Sequence, residues 1–285
     1  MKQNYSLSHL TWFKVGGDAK FFFRPNSITE IQNFLQTNDQ PVYIIGAGSN
    51  VLIRDGGFDG VILKLGRGFT QIQCDNVNMH CIRVGAGCMN HDLAQFCLEH
   101  GVGGLEFLCG IPGSVGGGIK MNAGAYQREF KDIVLNVGVV DANGVYYQIK
   151  REQIDFEYRN SNLCDSLICV DVMVQGYSAS KLQIFEEMEY IKAQRKQSQP
   201  INQKTGGSTF KNKPNYKAWE LIDAAGLRGF KMGGACVSQM HANFIVNDGC
   251  ATARDIEELG EYIRQTVFQK TGQMLEWEIK RIGTE

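Results

Sequence analysis

The chain has 285 residues, of which 43% are hydrophobic and 21% charged, and a formal net charge of −1. That length suits about two domains and a substantial core, and a near-neutral charge without a long basic run argues against nucleic-acid or anionic-membrane binding. The N-terminus lacks a signal-type apolar run, and no stretch approaches ~18 consecutive apolar residues, so neither secretion nor membrane spanning is expected.

In chain order, β-branched and aromatic runs predict strands at Ala19–Phe23, Val42–Ile45, Gly60–Leu65 and His80–Val84. The second runs straight into Gly46-Ala47-Gly48-Ser49-Asn50. A helix is predicted over His91–His100, stopped by Gly101. Residues Gly110–Tyr126 form a glycine-rich segment, and Ile133–Val140 and Val145–Ile149 bracket Asp141-Ala142-Asn143-Gly144, a hairpin signal. Leu167–Val174 reads as a further strand. The character then changes, placing a domain boundary near residue 178 and dividing the chain into 1–178 and 179–285. Lys181–Lys196 predicts a helix with Leu182, Phe185, Met188 and Ile191 on one face, followed by a polar loop, Gln197–Gly207. Further helices are expected at Tyr216–Ala225 and Asp255–Lys270. The second is opened by a capping box of Thr252 with Asp255 and stopped by Gly272. Strands Ala235–Val237, Phe244–Val246 and Leu275–Ile279 complete an α+β C-terminal part.

The glycine distribution is the strongest chemical signal. Twenty of the 33 glycines lie within the first 125 residues, and six fall in GIPGSVGGGIKMNAGAY, Gly110–Tyr126. Each glycine inside a helix or strand costs roughly 0.5–1 kcal/mol relative to alanine, so repeated use points to close backbone approach by a phosphate-bearing cofactor, with a structural loop as the alternative. GAGSN after a strand exposes successive N–H groups as an anion nest. It lacks the third glycine of a dinucleotide fingerprint and the Gly-Lys-Ser/Thr of a Walker loop. The nine cysteines form no CxxC pair and no zinc-type pattern with the five histidines. Reduced thiols in a cytoplasmic protein are expected, with no metal.

Several polar residues stand in contexts that packing does not explain. Arg159, in YRNS, is either a surface arginine or a fork for a carboxylate. Ser208 follows two glycines in GGSTFKN, so it is either a loop or helix N-cap serine or a hydroxyl that approaches a ligand; GGSTF is not a nucleophile elbow. Lys211 and Asn212 beside it suit substrate binding. Glu278, in LEWEI, shares a face with Glu276 if the segment is extended, opposite Leu275, Trp277 and Ile279, and is either part of an exposed acidic face or a site residue. His241 is open between turn and site, and Cys109 could touch a ligand but has no local histidine to activate it.

Taken together, TWFKVGG, IIGAGSNVLIRD, GLEFLCGIPGSVGGGIKMNAGAY, YRNS, GGSTFKN, AWELIDAAGLRG, VSQMHANFIVN and LEWEIKRIG resemble, nearly end to end, the UDP-N-acetylenolpyruvoylglucosamine reductase (UDP-N-acetylmuramate dehydrogenase) family. The resemblance implies an α+β fold. Its N-terminal FAD-binding part would be of the vanillyl-alcohol-oxidase/PCMH type, residues 1–178, and its C-terminal substrate-binding domain would be residues 179–285. It implies a cytoplasmic, monomeric flavoenzyme of peptidoglycan precursor synthesis with non-covalent FAD. NADPH would reduce the flavin, and hydride would then reach the terminal enol-ether carbon of UDP-N-acetylglucosamine-enolpyruvate. By resemblance Ser208 donates the proton, with Arg159 and Glu278 as the other catalytic residues. FAD would be held by Tyr43, Gly46, Ala47, Gly48, Ser49, Asn50, Gly110, Pro112, Gly113, Ser114, Gly117, Asn122, Ala123 and Gly124. Two departures stand out. Lys213-Pro214 and Trp277 occupy positions where members often carry proline, and the tyrosine-bearing loop some members insert after the arginine box is absent. The chain thus resembles a shorter subtype, leaving Gln197–Gly207 to close over substrate. Rival readings are another FAD-linked oxidase or dehydrogenase on the same scaffold, or a non-catalytic nucleotide-sugar-binding protein.

Overall fold

The β-branched runs of the first half form strands that are divided among several sheets, with neighbours often remote in sequence. The computed structural model describes residues 1–285. They divide into two compact units, neither continuous along the chain. The first is Met1, Phe22–Ala47 and Ile62–Gln194; the second is Lys2–Phe21, Gly48–Val61 and Arg195–Glu285. This differs from the single boundary expected near residue 178, because two N-terminal segments share a core with the C-terminal part. A contact made across the sequence leaves no compositional shift to read.

The first unit contains a five-stranded antiparallel sheet in the order Tyr146–Lys150, Val134–Val140, Ile168–Gln175, Cys81–Gly85, Ile72–Cys74. The expected hairpin is present. Asp141 Oδ1 accepts from the N–H groups of Asn143 and Val145, and Gly144 donates to the Asp141 carbonyl. Helix α1 (Ile28–Thr37) is capped by Ser27, whose hydroxyl accepts from the Glu30 N–H. Helix α2 (Asn90–His100) stops at left-handed Gly101, as expected. The short helix α3 (Val115–Lys120) lies inside the glycine-rich segment. Helix α4 (Lys181–Ser198) buries Ile184, Met188 and Ile191, while Leu182 and Phe185 are 65% and 49% exposed. The predicted face is corrected for a geometric reason. Steps of three residues rotate by about −60° each, so the expected set turns through half the helix, whereas Ile184, Met188 and Ile191 stay within about 60° of one another.

The second unit contains a four-stranded antiparallel sheet in the order Lys204–Thr205, Ile245–Asn247, Ala235–Val237, Lys231–Met232. Part of the predicted loop Gln197–Gly207 is therefore a sheet edge. Helices α5 (Ala218–Ala224) and α6 (Ala253–Thr271) pack on one apolar core with Phe13, Val15, Leu52 and Phe210. The predicted capping box of Thr252 and Asp255 and the Gly272 stop are both present in α6. Lys280–Ile282 pairs in parallel with Val51–Ile53. The strand expected at Leu275–Ile279 is replaced by a single antiparallel bridge, Phe210 to Trp277. Leu275 and Ile279 are buried and Glu276 exposed, while Trp277 and Glu278 are both half-buried, so the alternation holds only in part.

Trp277 is held on every side. Its indole N–H donates to Glu261 at 2.8 Å, Arg281 lies over its ring at 4.4 Å, and Phe210 is 5.2 Å away. A Cβ on Gly260 of α6 would lie 2.1 Å from that ring. Gly260→Ala should therefore destabilise the protein despite its helical position. Overpacking of about 1–3 kcal/mol outweighs a propensity gain of about 1 kcal/mol. A thermal melt at or above the wild-type midpoint would contradict this.

No helix is long and apolar enough to cross a membrane. All nine cysteines are free, and no group of three or more His, Cys, Asp or Glu side chains is arranged to hold a metal ion.

Candidate functional site

Some of the glycines in the rich segment serve packing. A Cβ on Gly118 would lie 2.2 Å from the Phe130 ring, and one on Gly116 would lie 3.0 Å from Ala86. The Val115 and Gly116 N–H groups donate to the carbonyls of Cys88 and Ala86. That half of the segment is a packed helix, so for those two glycines packing, the alternative to a cofactor, accounts for the missing side chain. Gly117 differs, since its missing Cβ would meet only Ser114 Oγ, at 3.4 Å. A Cβ on Gly46 would lie 2.6 Å from the same Oγ and 4.0 Å from Gly117 Cα. Gly46, Ser114 and Gly117 thus converge from two remote loops and leave bare backbone between them. This is the approach a flat, phosphate-bearing group requires, and the residues present fit one.

The remaining expected cradle residues divide between roles. Burial, with the Asp165 carboxylate adding to it, pushes the Tyr43 phenol up to about 12, so it remains a neutral hydroxyl. Gly48 abuts the Leu10 carbonyl, where a Cβ would lie at 2.0 Å, and Asn50 donates from Nδ2 to the Glu278 carbonyl at 3.1 Å. The buried Asn122 spends both amide hydrogens on Glu129 and the Glu157 carbonyl, and its Oδ1 accepts from the Lys131 N–H. Its side chain is therefore a bracket. Gly110 ends a 3-10 turn, and Ala123 exchanges backbone bonds with Gly118 and Phe130.

That bracket holds the hairpin Phe156–Glu157 to Asn160–Ser161, whose turn is Tyr158-Arg159. Three bonds stitch it to the glycine-rich segment: Asn122 to the Glu157 carbonyl at 3.0 Å, Ser161 Oγ to the Lys120 carbonyl at 2.9 Å, and Arg159 to the Gly124 carbonyl at 3.1 Å. Arg159 has φ +56°, a left-handed conformation that costs a non-glycine residue about 1–3 kcal/mol and concentrates at functional sites. Its guanidinium lies over Tyr158 at 4.9 Å. Beside it, Tyr126 and Gln127 also take positive φ, at 53° and 62°.

Ser208 and Glu278 come together within the second unit. The Glu278 N–H donates to the Thr209 carbonyl and the Lys211 N–H to the Glu276 carbonyl, both at 2.8 Å. The serine and glutamate segments therefore run on adjoining rungs. Ser208 is half-buried, its hydroxyl has no hydrogen-bond partner in the protein, and Gly207 before it takes φ +81°, where a Cβ would meet only the Ser49 carbonyl, at 4.0 Å. Lys211 is held in an ion pair by Glu276, whose carboxyl it keeps below the usual range. Asn212 Oδ1 accepts from the Ala218 N–H and so caps α5.

Two residues singled out by sequence do other work. Cys109 packs its thiol on the Met188 carbonyl of α4. His241 accepts from the Asn243 N–H, packs edge-on to Phe244, and is pushed below its ordinary pKa mainly by burial. Sequence reasoning missed Asn243 itself, which is 3% exposed. The only signal was an amide between apolar Ala242 and Phe244, where burial demands partners.

A family model described as an FAD binding domain matches residues 19–150. A second, described as the C-terminal domain of UDP-N-acetylenolpyruvoylglucosamine reductase, matches residues 199–282. Among proteins bearing that enzyme name, one from Orientia tsutsugamushi (strain Ikeda) is 51% identical over 99% of this chain and 94% of its own length. Another, from Rickettsia peacockii (strain Rustic), is 48% identical over 99% of this chain and 95% of its own length. The crystal structure of the corresponding reductase from Thermus caldophilus superposes with a TM-score of 0.86 at 33% identity, covering 97% of each chain.

Proposed function

Since this chain belongs to the UDP-N-acetylenolpyruvoylglucosamine reductase family, we propose how its own residues carry out the family's reaction. The protein is an FAD-dependent oxidoreductase of peptidoglycan precursor synthesis. It reduces the enolpyruvyl group of UDP-N-acetylglucosamine-enolpyruvate to give UDP-N-acetylmuramate, with NADPH as reductant. When bound, FAD would supply the redox chemistry that links NADPH oxidation to reduction of the enol ether at its terminal carbon. Gly46, Ser114 and Gly117 would hold it through backbone and hydroxyl, and Tyr43 would offer a neutral phenol.

Hydride addition leaves negative charge on the carbon bearing the carboxylate. Ser208 protonates that carbon. Its hydroxyl is a weak acid, but it has no competing protein partner, and the enolate-like species is a strong base. Arg159 receives the substrate carboxylate, a task for a planar guanidinium held in one orientation. Glu278 completes the electrostatic frame around the developing charge. The pairing of the Ser208 and Glu278 segments through the Glu278 N–H and the Thr209 carbonyl carries this reading. Lys211 and Asn212 flank the substrate, Lys211 exchanging Glu276 for a substrate anion and Asn212 offering its amide nitrogen. The nine free cysteines favour a reducing compartment, and the working form we infer is a cytoplasmic monomer.

The direct test is the visible spectrum of the purified protein, which should show bound flavin, bleach with NADPH and recover when the enolpyruvyl substrate is added anaerobically. Recovery only with oxygen, or turnover of a simple alcohol, would favour an oxidase on this scaffold. Arg159→Ala and Glu278→Gln should retain flavin while reoxidation by substrate slows by about 10²-fold or more. Colourless variants would assign these residues a structural role instead.

A further inference from the structure

The segment carrying Ser208 has a second clamp that the reaction scheme does not use. Phe210 gives its N–H to Asn243 Oδ1 at 3.0 Å, and its carbonyl accepts from Asn243 Nδ2 at 2.8 Å. The Thr209 N–H donates to the Asn243 backbone carbonyl at 2.8 Å. One buried side chain thus stands in for a neighbouring strand. The Asn243 N–H is itself fixed by donating to His241 Nδ1 at 3.2 Å. From their other partners, the same residues take the Glu278 N–H on the Thr209 carbonyl and offer the Lys211 N–H to Glu276. Thr209–Lys211 is therefore pinned between Asn243 and the glutamate segment, in a place where the strand itself is reduced to a single bridge.

We propose that Asn243 is a positioning residue for proton delivery, setting the register of the Ser208 segment against the Glu278 segment. The inference rests on Ser208 being the proton donor. An amide is required because only an amide offers a donor and an acceptor side by side, matching the N–H and C=O of one backbone residue. Aspartate retains the acceptor and loses the donor, and alanine loses both, leaving two buried backbone groups unpaired. Freed from this clamp, Ser208 shifts relative to the reacting carbon, and misplacement by about 1 Å costs roughly 100-fold in rate.

The test compares Asn243→Ala, Asn243→Asp, Ser208→Ala and the double variant Ser208→Ala/Asn243→Ala as flavin-loaded proteins, in separate half-reactions. For Asn243→Ala, reduction by NADPH should stay within about twofold of wild type, while reoxidation by substrate should slow by roughly 100-fold. Asn243→Asp should fall between, and it is read in the same way should the alanine variant not fold. In the Ser208→Ala background Asn243→Ala should add no further slowing, since the group it aims is gone. Amide exchange followed by mass spectrometry gives a readout independent of activity, with exchange accelerating in peptides covering residues 207–211 and unchanged in the five-stranded sheet. Equal slowing of both half-reactions, unaltered reoxidation, or fully additive slowing in the double variant would each overturn the proposal. Normal reoxidation in Ser208→Ala alone would instead overturn the reading beneath it.

Discussion

Ser208→Ala should leave NADPH reduction of the flavin within about twofold of normal and slow reoxidation by the enolpyruvyl substrate by roughly 10²–10⁴-fold, the range for loss of a general acid. Folding should be untouched. The hydroxyl has no hydrogen-bond partner in the protein and the side chain is only half-buried, so its removal orphans nothing and stability should stay within about 0.5 kcal/mol. This separates a chemical effect from a structural one, and stopped-flow absorbance of each half-reaction with a thermal melt checks both. Equal slowing of the two halves would remove Ser208 from the proton-donor role.

A matched pair of alanines should divide the glycine-rich helix by function. Gly118→Ala places a methyl 2.2 Å from the ring of Phe130, itself fully buried and packed edge-on to Phe107 at 6.4 Å. Overpacking there should cost about 1–3 kcal/mol and lower the melting midpoint of the flavin-free protein. Gly117→Ala meets only Ser114 Oγ at 3.4 Å. Its flavin-free form should be as stable as wild type, or gain up to about 1 kcal/mol from helix propensity. Its FAD affinity should nevertheless fall about tenfold or more, equivalent to about 1.4 kcal/mol, because the methyl enters space bordered only by Ser114, where the cofactor is proposed to approach. Flavin titration of both apoproteins decides the matter. Normal FAD affinity in Gly117→Ala would make these glycines a packing device alone.

Much of this was readable from local chemistry. The Asp141–Gly144 turn, the Thr252–Asp255 capping box and the Gly101 and Gly272 stops formed where expected, because each is decided within a few residues. Face assignment on α4 failed at Leu182 and Phe185, where a three-residue spacing imitates a helical stripe without being one. Leu275–Ile279 kept its buried ends but lost its strand and its strict alternation, since only Phe210 pairs with it and Glu278 is half-buried like Trp277. Trp277 is accommodated by Gly260, a relation no local pattern announces.

By itself the sequence pointed through its glycines to a phosphate-bearing ligand, and through the resemblance of its motifs to a known family, to FAD and to the three residues proposed to act on substrate. Only the tertiary structure decided which glycines pack and which leave backbone bare, since that depends on Phe130, Ala86 and Ser114 arriving from elsewhere. The same holds for the stitching of Arg159 to Gly124, the adjoining rungs of Thr209 and Glu278, and the buried amide of Asn243. Each is a hydrogen bond between segments separated along the chain, and its partner is chosen by how the core packs rather than by any periodicity in the sequence.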